Sequence, residues 1–346
     1  MIKFDQVLEP DLARVTLKSL AKQAGVGTAT VERVLNSRGG VRPDLVERVL
    51  KAARKLDYAK RLPEQHRGII RIEILLVRRD LSFLTRLSQS FERVAANLDS
   101  SIAVHRTFMD EANTLALAEH IAAPKLRRSA LIMVAPQHPT VSAAIKQVKA
   151  AGLPVVQLVS KFENLDVPYV GIDNKAAGRM AGLLMSGMVR KAGTVVALSH
   201  SQIYGVHRDR MEGFSDFITK PQASNLFFQQ IAFTQDDPHE ASKTVWSLMR
   251  SIPDLVGIYS AGGDYGPLCD MLRRASPQPG ICLIGHELTE QSGKALRDGT
   301  MAAVIDQAPE TQARRALDMV LHKLGMLHTP VDPSPIRFVT ITAENL

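Results

Sequence analysis

Apolar positions repeat at spacings of three and four near the start of the chain, which predicts helices. Leu17, Leu20, Ala21 and Ala24 share one face of a helix over about 17–24, with Thr16 as its N-cap. A second helix is predicted over about 27–36, with Val31, Val34 and Leu35 turned inward. Asn36-Ser37-Arg38-Gly39-Gly40 reads as a loop. Pro43 opens a third helix as its N1 residue, and Leu45, Val46, Val49, Leu50, Ala53 and Leu56 form its apolar stripe. Asp57-Tyr58 closes that helix, completing a small three-helix unit over 1–58.

Residues 59–68, AKRLPEQHRG, are polar and broken by Pro63 and Gly68, so they read as a linker. Beyond them the pattern changes to short apolar runs separated by amphipathic stretches. Ten runs read as strands: 69–77, 101–108, 130–136, 154–160, 168–173, 194–200, 225–233, 255–261, 281–285 and 302–306. Alternating β and α with apolar strands predicts doubly wound parallel sheets. Ten strands are many for one sheet, so two lobes are expected with a crossover near 160–170. The expected lobes are about 69–165 plus 309–326, and 166–308 plus 330–346. The fold class is therefore an N-terminal all-α headpiece followed by a bilobed α/β domain, whose cleft is the natural ligand site. Trp246, in the helical stretch 238–250, is expected to pack inside.

The first three segments make a particular motif. Ala21, Gly25 and Val31 fall where two short helices cross closely: a minimal side chain, a turn glycine and a plug. That is a helix-turn-helix, whose second helix is shaped to enter a DNA major groove. Charge agrees. The chain carries a formal +8, and residues 1–67 hold 14 Lys/Arg against 8 Asp/Glu. A basic lobe on a near-neutral body suits phosphate binding.

Other chemistry is not written in the chain. Cys269 and Cys282 are the only cysteines in 346 residues, which fits a reducing cytoplasm, with no metal-ligand spacing. No apolar run is long enough for a membrane span, and MIKFDQVLEPDLARV lacks the apolar core of a secretory signal. SAGGDYG lacks the spacing of a phosphate loop, and GHELTE has no second His at zinc spacing. No Ser/His/Asp set is legible. Neither catalysis, a cofactor nor a metal is expected. These absences weigh against a periplasmic solute receptor and against a kinase-like enzyme.

Together, VTLKSLAKQAGVGTATVERVLN (15–36), the third helix ending in Tyr, the linker and the bilobed body resemble the lactose-repressor (LacI) family of bacterial transcription regulators. The body resembles the ribose-binding-protein type of periplasmic-binding-protein fold through GIDNKAAGRMAG (171–182), RMEGF (210–214), GIYSAGGD (257–264), LIGHE (283–287) and AAVIDQAP (302–309). The resemblance implies a cytoplasmic, dimeric repressor on a palindromic operator of double-stranded DNA, controlled by a small sugar, polyol, sugar acid or sugar phosphate. Tetramers stay open, although no leucine heptad follows the last strand.

On the family pattern, Thr28, Ala29 and Arg33 face base edges. Arg33 suits a guanine O6/N7 pair, or else clamps a phosphate. Thr16, Thr30 and Asn36 are expected at phosphates. Glu32 departs from the family's small hydroxyl residue; it pairs with a nearby cation or accepts from a cytosine amine. The linker departs too. The family's hinge leucine falls near Arg67, and Pro63 interrupts the segment, so a hinge helix is weak or absent here.

For the effector, the resemblance carries over Arg210, Glu287 in place of the usual Asp, and Gln307. Asp173 and Asn174 lie at the lobe crossover and Asp264 at a strand end; each either binds effector or forms loop salt bridges. Phe83 stacks on a ligand ring or packs in the core. Gly263 stands where Asn is frequent, and Val159-Ser160 where the ribose-type pattern has Asp-Arg, so the ligand differs from ribose in detail.

Overall fold

The computed structural model describes residues 16–36, 38, 40–56, 58, 69–199, 204–223, 225–234, 237–263, 265–275 and 280–346. The predicted linker at 59–68 and Asp264 lie outside the described residues. The chain divides into two compact units, Met1–Ile70 and Arg71–Leu346.

The first unit holds α1 (Leu17–Ala24), α2 (Thr28–Leu35) and α3 (Pro43–Lys55). Thr16 and Ser19 cap α1 reciprocally: the Ser19 amide donates to Thr16 Oγ1 at 3.2 Å, and the Thr16 amide donates to Ser19 Oγ at 2.9 Å. Gly25 ends α1 at φ 63, where a side chain would strain the backbone. Arg48 of α3 donates through Nη2 to the Gly25 carbonyl at 3.1 Å, which ties the turn to the third helix. Leu20, Ala21, Val31, Val34, Val49 and Ala53 form the small core between the three helices.

From the boundary onward the chain runs through β1 (Ile70–Val77), whose first residue belongs to the first unit, α4 (Ser82–Ala95), β2 (Ile102–Met109), α5 (Thr114–Ala122), β3 (Ala130–Met133), α6 (Pro139–Ala150), β4 (Val155–Leu158) and β5 (Tyr169–Val170). It continues through α7 (Asn174–Met188), β6 (Gly193–Ser199), α8 (Gly205–Ile218), β7 (Leu226–Phe233), α9 (Pro238–Ser251) and β8 (Leu255–Ser260). It ends with α10 (Gly266–Ala275), β9 (Cys282–His286), α11 (Glu290–Arg297), β10 (Ala303–Asp306), α12 (Pro309–Lys323) and β11 (Val339–Ile341). Two sheets result, ordered β2-β1-β3-β4-β5 and β11-β10-β9-β8-β6-β7. Parallel pairing carries β1–β3–β4–β5 and β7–β6–β8–β9–β10; β1, β3, β4, β6, β9 and β10 are buried along most of their length, as helices on both faces require, while the edge strand β7 is largely exposed. The bilobed α/β architecture is that expected from the sequence.

Three details differ from the sequence reading. Residues 169–170 pair with β4, so the first lobe runs past the boundary placed at 165. The buried Gln157 side chain makes this possible: Nε2 donates to the Val167 carbonyl at 3.0 Å and Oε1 accepts from the Phe162 amide at 2.7 Å, folding the β4–β5 loop onto the sheet. An eleventh strand, β11, adds antiparallel to β10. Trp246 is 48% exposed, because Val245 and Leu248 supply the inward face of α9. Helix α12 follows β10 of the second sheet but packs on α4, β3 and β4 of the first, so Gln307 and Ala308 form a crossover between lobes. Among the described residues no helix is long and apolar enough to cross a membrane, and no cluster of three His, Cys, Asp or Glu could hold a metal ion.

Candidate functional site

In the headpiece, burial of Val31 and Val34 fixes which way α2 faces. Thr28, Ala29, Glu32, Arg33 and Asn36 are therefore exposed together along the opposite stripe, with Thr30 half-buried beside them. Among the described residues, neither Glu32 nor Arg33 forms an ion pair. Thr16 is exposed, but its hydroxyl is already occupied by the α1 cap.

In the α/β unit, the carboxyl ends of the strands of both sheets meet at a cleft with about 80 Å³ of free internal space. Val77, Arg78, Phe83, Val134 and Ser160 line it from the first lobe. Tyr204, His207, Arg210, Gly262, Glu287 and Gln307 line it from the second lobe and the crossover. Three wall residues, Arg78, Val159 and Glu287, hold positive φ (48, 65 and 67), and Ala308 behind Gln307 does so at 52. Such conformations are uncommon for non-glycine residues and gather where a fold aims side chains at a ligand.

Arg210 is positioned by two helices that nearly touch. A Cβ added at Gly178 of α7 would lie 2.0 Å from the Arg210 carbonyl oxygen, and one at Gly213 of α8 would lie 2.0 Å from that of Lys175. Only glycine allows this approach. It brings Asn174, at the start of α7, against the guanidinium: Arg210 Nε donates to Asn174 Oδ1 at 3.0 Å, and Nη1 donates to the Ala261 carbonyl at 2.7 Å. Arg210 is 3% exposed, and its Nη2 has no partner among the described residues.

Glu287 follows β9 and lies against Gln307, whose Nε2 donates to Glu287 Oε1. Burial pushes the Glu287 carboxyl up to about 8; neighbouring Asp306 pushes the same way, while Arg210, the Gln307 bond and Arg86 oppose it. Asp306 is itself fully engaged. It pairs with Arg86 across the lobes and accepts the amides of Leu288 at 3.0 Å and Ala308 at 2.8 Å. Beneath this wall His286 Nε2 shares a 2.8 Å bond with the Tyr259 hydroxyl, and burial holds its imidazole well below its usual range. Across the mouth, Tyr204 donates to Glu111, and Arg78 bonds Glu111 at 3.2 Å and Asp80 at 2.9 Å. Four polar atoms of the buried wall residues remain without a partner among the described residues: Ser160 Oγ, Arg210 Nη2, Glu287 Oε2 and Gln307 Oε1. Buried polar atoms are ordinarily bonded, so four together in one cleft mark a polar ligand's place.

The structure thus brings Arg210, Glu287 and Gln307 together, with Phe83 half-buried on the same wall. Asn174 lies behind Arg210 rather than on the wall. Asp173 is exposed, off the wall, and caps α7 by accepting the Ala176 amide at 2.7 Å. Tyr204, His207, Glu111 and Arg78 were not singled out in the sequence. Only their positions at loop and strand ends could have suggested them.

Comparison with known proteins adds an independent line. The family described as bacterial regulatory proteins, lacI family, matches residues 16–60. A periplasmic binding protein domain family matches residues 72–325. The ribose operon repressor of Halalkalibacterium halodurans is 25% identical over 264 residues, 71% of this chain and 71% of that protein. The ribose import binding protein RbsB of Escherichia coli is 21% identical over 230 residues, 66% of this chain and 76% of that protein. Among solved structures, GanP, a glucose-galactose binding protein from Geobacillus stearothermophilus, superposes with TM-score 0.69 at 19% identity, covering 80% of this chain and 98% of its own. A periplasmic solute binding protein of Actinobacillus succinogenes with bound D-allose gives TM-score 0.70 at 18% identity, with 80% and 98% covered.

Proposed function

We propose, for a chain that belongs to the lacI family of bacterial regulatory proteins and carries a periplasmic binding protein domain, that its grip on DNA is set by a small carbohydrate-like effector in the cleft. In this reading the protein acts in the cytoplasm as a repressor. It binds as a homodimer, because a headpiece this small spans few base pairs and a two-fold pair reads a palindromic operator. Arg33 reads a guanine, Thr28 and Ala29 contact neighbouring base edges, and Thr16, Thr30 and Asn36 meet phosphates. Arg210, Glu287, Gln307 and Ser160 bond the effector, and Phe83 packs on its apolar face. No catalytic step is assigned to any residue.

One observation carries the reading: the same chain exposes a helix face free of ion pairs among its described residues and buries four unpartnered polar atoms in one cleft. The relative named as a ribose operon repressor and those named as ribose import binding proteins support a sugar-like ligand. Effector binding that changes the lobe angle would alter DNA affinity by a coupling of about 1–3 kcal/mol. The test is a thermal-shift screen of sugars, polyols, sugar acids and sugar phosphates, followed by operator titration with each stabilising compound. A compound that both stabilises the protein and changes operator affinity supports the reading. A screen in which no such compound stabilises the protein overturns it.

A further inference from the structure

We infer that the cleft is built for a hydroxy-carboxylate, a small sugar acid, in preference to a neutral sugar; this rests on the reading of the cleft as the effector site. A guanidinium does not give up its charge in a protein, and a buried charge is costly unless compensated. Arg210 is 3% exposed, yet its bonded partners, Asn174 Oδ1 and the Ala261 carbonyl, are both neutral. Among the described residues no carboxylate pairs with it.

Among the described residues, the other arginines on or behind the wall are bonded by carboxylates. Arg78 is bonded by Asp80 and Glu111, and Glu111 also accepts from Tyr204. Asp306 is bonded by Arg86. Glu287 has one oxygen bonded by Gln307 and shares its surroundings with Asp306, so burial favours its acid form. With Glu287 held as the acid, Arg210 is the guanidinium on the described wall that no carboxylate bonds. A ligand carboxylate supplies what is missing.

The remaining free atoms fix the rest of the ligand. Arg210 Nη2 donates to a carboxylate oxygen in a charge-assisted bond. Gln307 Oε1 accepts from a hydroxyl, Glu287 Oε2 donates to or accepts from a second, and Ser160 Oγ does either with a third. Val77, Phe83, Val134 and Val206 complete the wall with apolar surface for the carbon skeleton. A phosphate dianion would need more cations than the one unpartnered guanidinium nitrogen on the described cleft wall.

Isothermal titration of the full-length protein at pH 6.5 with matched acid and neutral pairs tests this. The pairs are D-gluconate with D-glucitol, D-galactonate with galactitol, D-ribonate with D-ribose, and D-glucuronate with D-glucose. At least one acid is expected to bind ten-fold or more tightly than its neutral partner. Arg210→Gln should weaken that acid ten-fold or more and erase the preference, while Arg210→Lys, which keeps the charge, should retain part of it. Circular dichroism and melting curves establish that both variants fold. Binding of a neutral partner as tightly as its acid, a preference that survives in Arg210→Gln, or no binding by any acid each overturns the inference. A neutral sugar that binds where the acids do not leaves the effector reading standing; silence from every compound, sugar phosphates included, removes both.

Discussion

Arg210 Nε donates to Asn174 Oδ1 at 3.0 Å, so the guanidinium that faces the cleft is held from behind by the first residue of another helix. Asn174 is not on the cleft wall, yet it fixes where Arg210 can point. Replacing Asn174 by Ala leaves a buried donor unpaired and frees the guanidinium to turn. A hydrogen bond to a charged group is worth about 1.5–3 kcal/mol, which corresponds to roughly ten-fold or greater loss of effector affinity. Titration calorimetry with the stabilising compound checks this. Asn174→Ala binding as tightly as wild type would show that Arg210 is not positioned from behind.

The approach of α7 and α8 makes Gly178 intolerant of any side chain. Its added Cβ would sit 2.0 Å from backbone, which cannot give way without moving Arg210. Gly178→Ala should therefore destabilise the protein by about 1–3 kcal/mol and weaken effector binding as well. Gly187, in the same helix, has nothing within 4 Å of its added Cβ. Gly187→Ala should be neutral or stabilising by up to about 1 kcal/mol, through helix propensity alone. Paired melting curves of the two variants distinguish close packing from a general intolerance of α7.

Glu287 makes a pH dependence that can be isolated. Its carboxyl is pushed up from 4.5 to about 8 in the folded protein by burial and by Asp306, against Arg210, Gln307 and Arg86. Between those values the folded chain holds a proton that the unfolded chain has released. The stability that proton confers is full below pH 4.5 and is lost as pH rises through 8. Glu287→Gln keeps an oxygen for Gln307 Nε2 and has no charge to bury. Its melting temperature minus that of wild type should climb steadily from pH 5.5 to 8.5. A flat difference would mean that Glu287 stays ionised in the cleft.

On the headpiece, Arg33 and Glu32 share the exposed stripe of α2. Arg33→Ala should lose preference for the operator over unrelated DNA, about 1–3 kcal/mol, while keeping salt-dependent nonspecific binding. A gel-shift titration in which variant and wild type bind the operator equally would contradict the assignment of Arg33 to a base.

Much of the fold was legible because its elements are strongly patterned. The three headpiece helices carry apolar stripes at three and four and end at Gly25, Asn36 and Leu56; ten apolar runs became ten strands. β11 escaped because it is three residues long with a single buried position, beyond a proline-rich stretch. Arg210, Glu287 and Gln307 were found through motifs whose order follows the strand ends. The Glu111–Tyr204 contact was not legible, since those residues are 93 apart in sequence and meet only when two lobes face each other. Asp173, which the sequence left open between an effector contact and a loop salt bridge, caps α7 in the structure. An Asp before a helix serves as an N-cap or as a ligand contact, and sequence spacing does not separate the two. The glycines of GRMAG and RMEGF were visible as a motif, but their cause, a helix crossing too tight for a Cβ, is visible only in three dimensions.

The proposed function stands on control of the headpiece by the cleft. Fluorescence anisotropy of the full-length protein on an operator selected from genomic fragments, with and without the stabilising compound, tests it directly when Arg210→Gln is measured beside wild type. The expected result is a change in operator affinity of about 5- to 150-fold for wild type, and less than about two-fold for Arg210→Gln, with both proteins binding DNA alike when no compound is present. Unchanged wild-type affinity at saturating compound, or an equal response from Arg210→Gln, would contradict it.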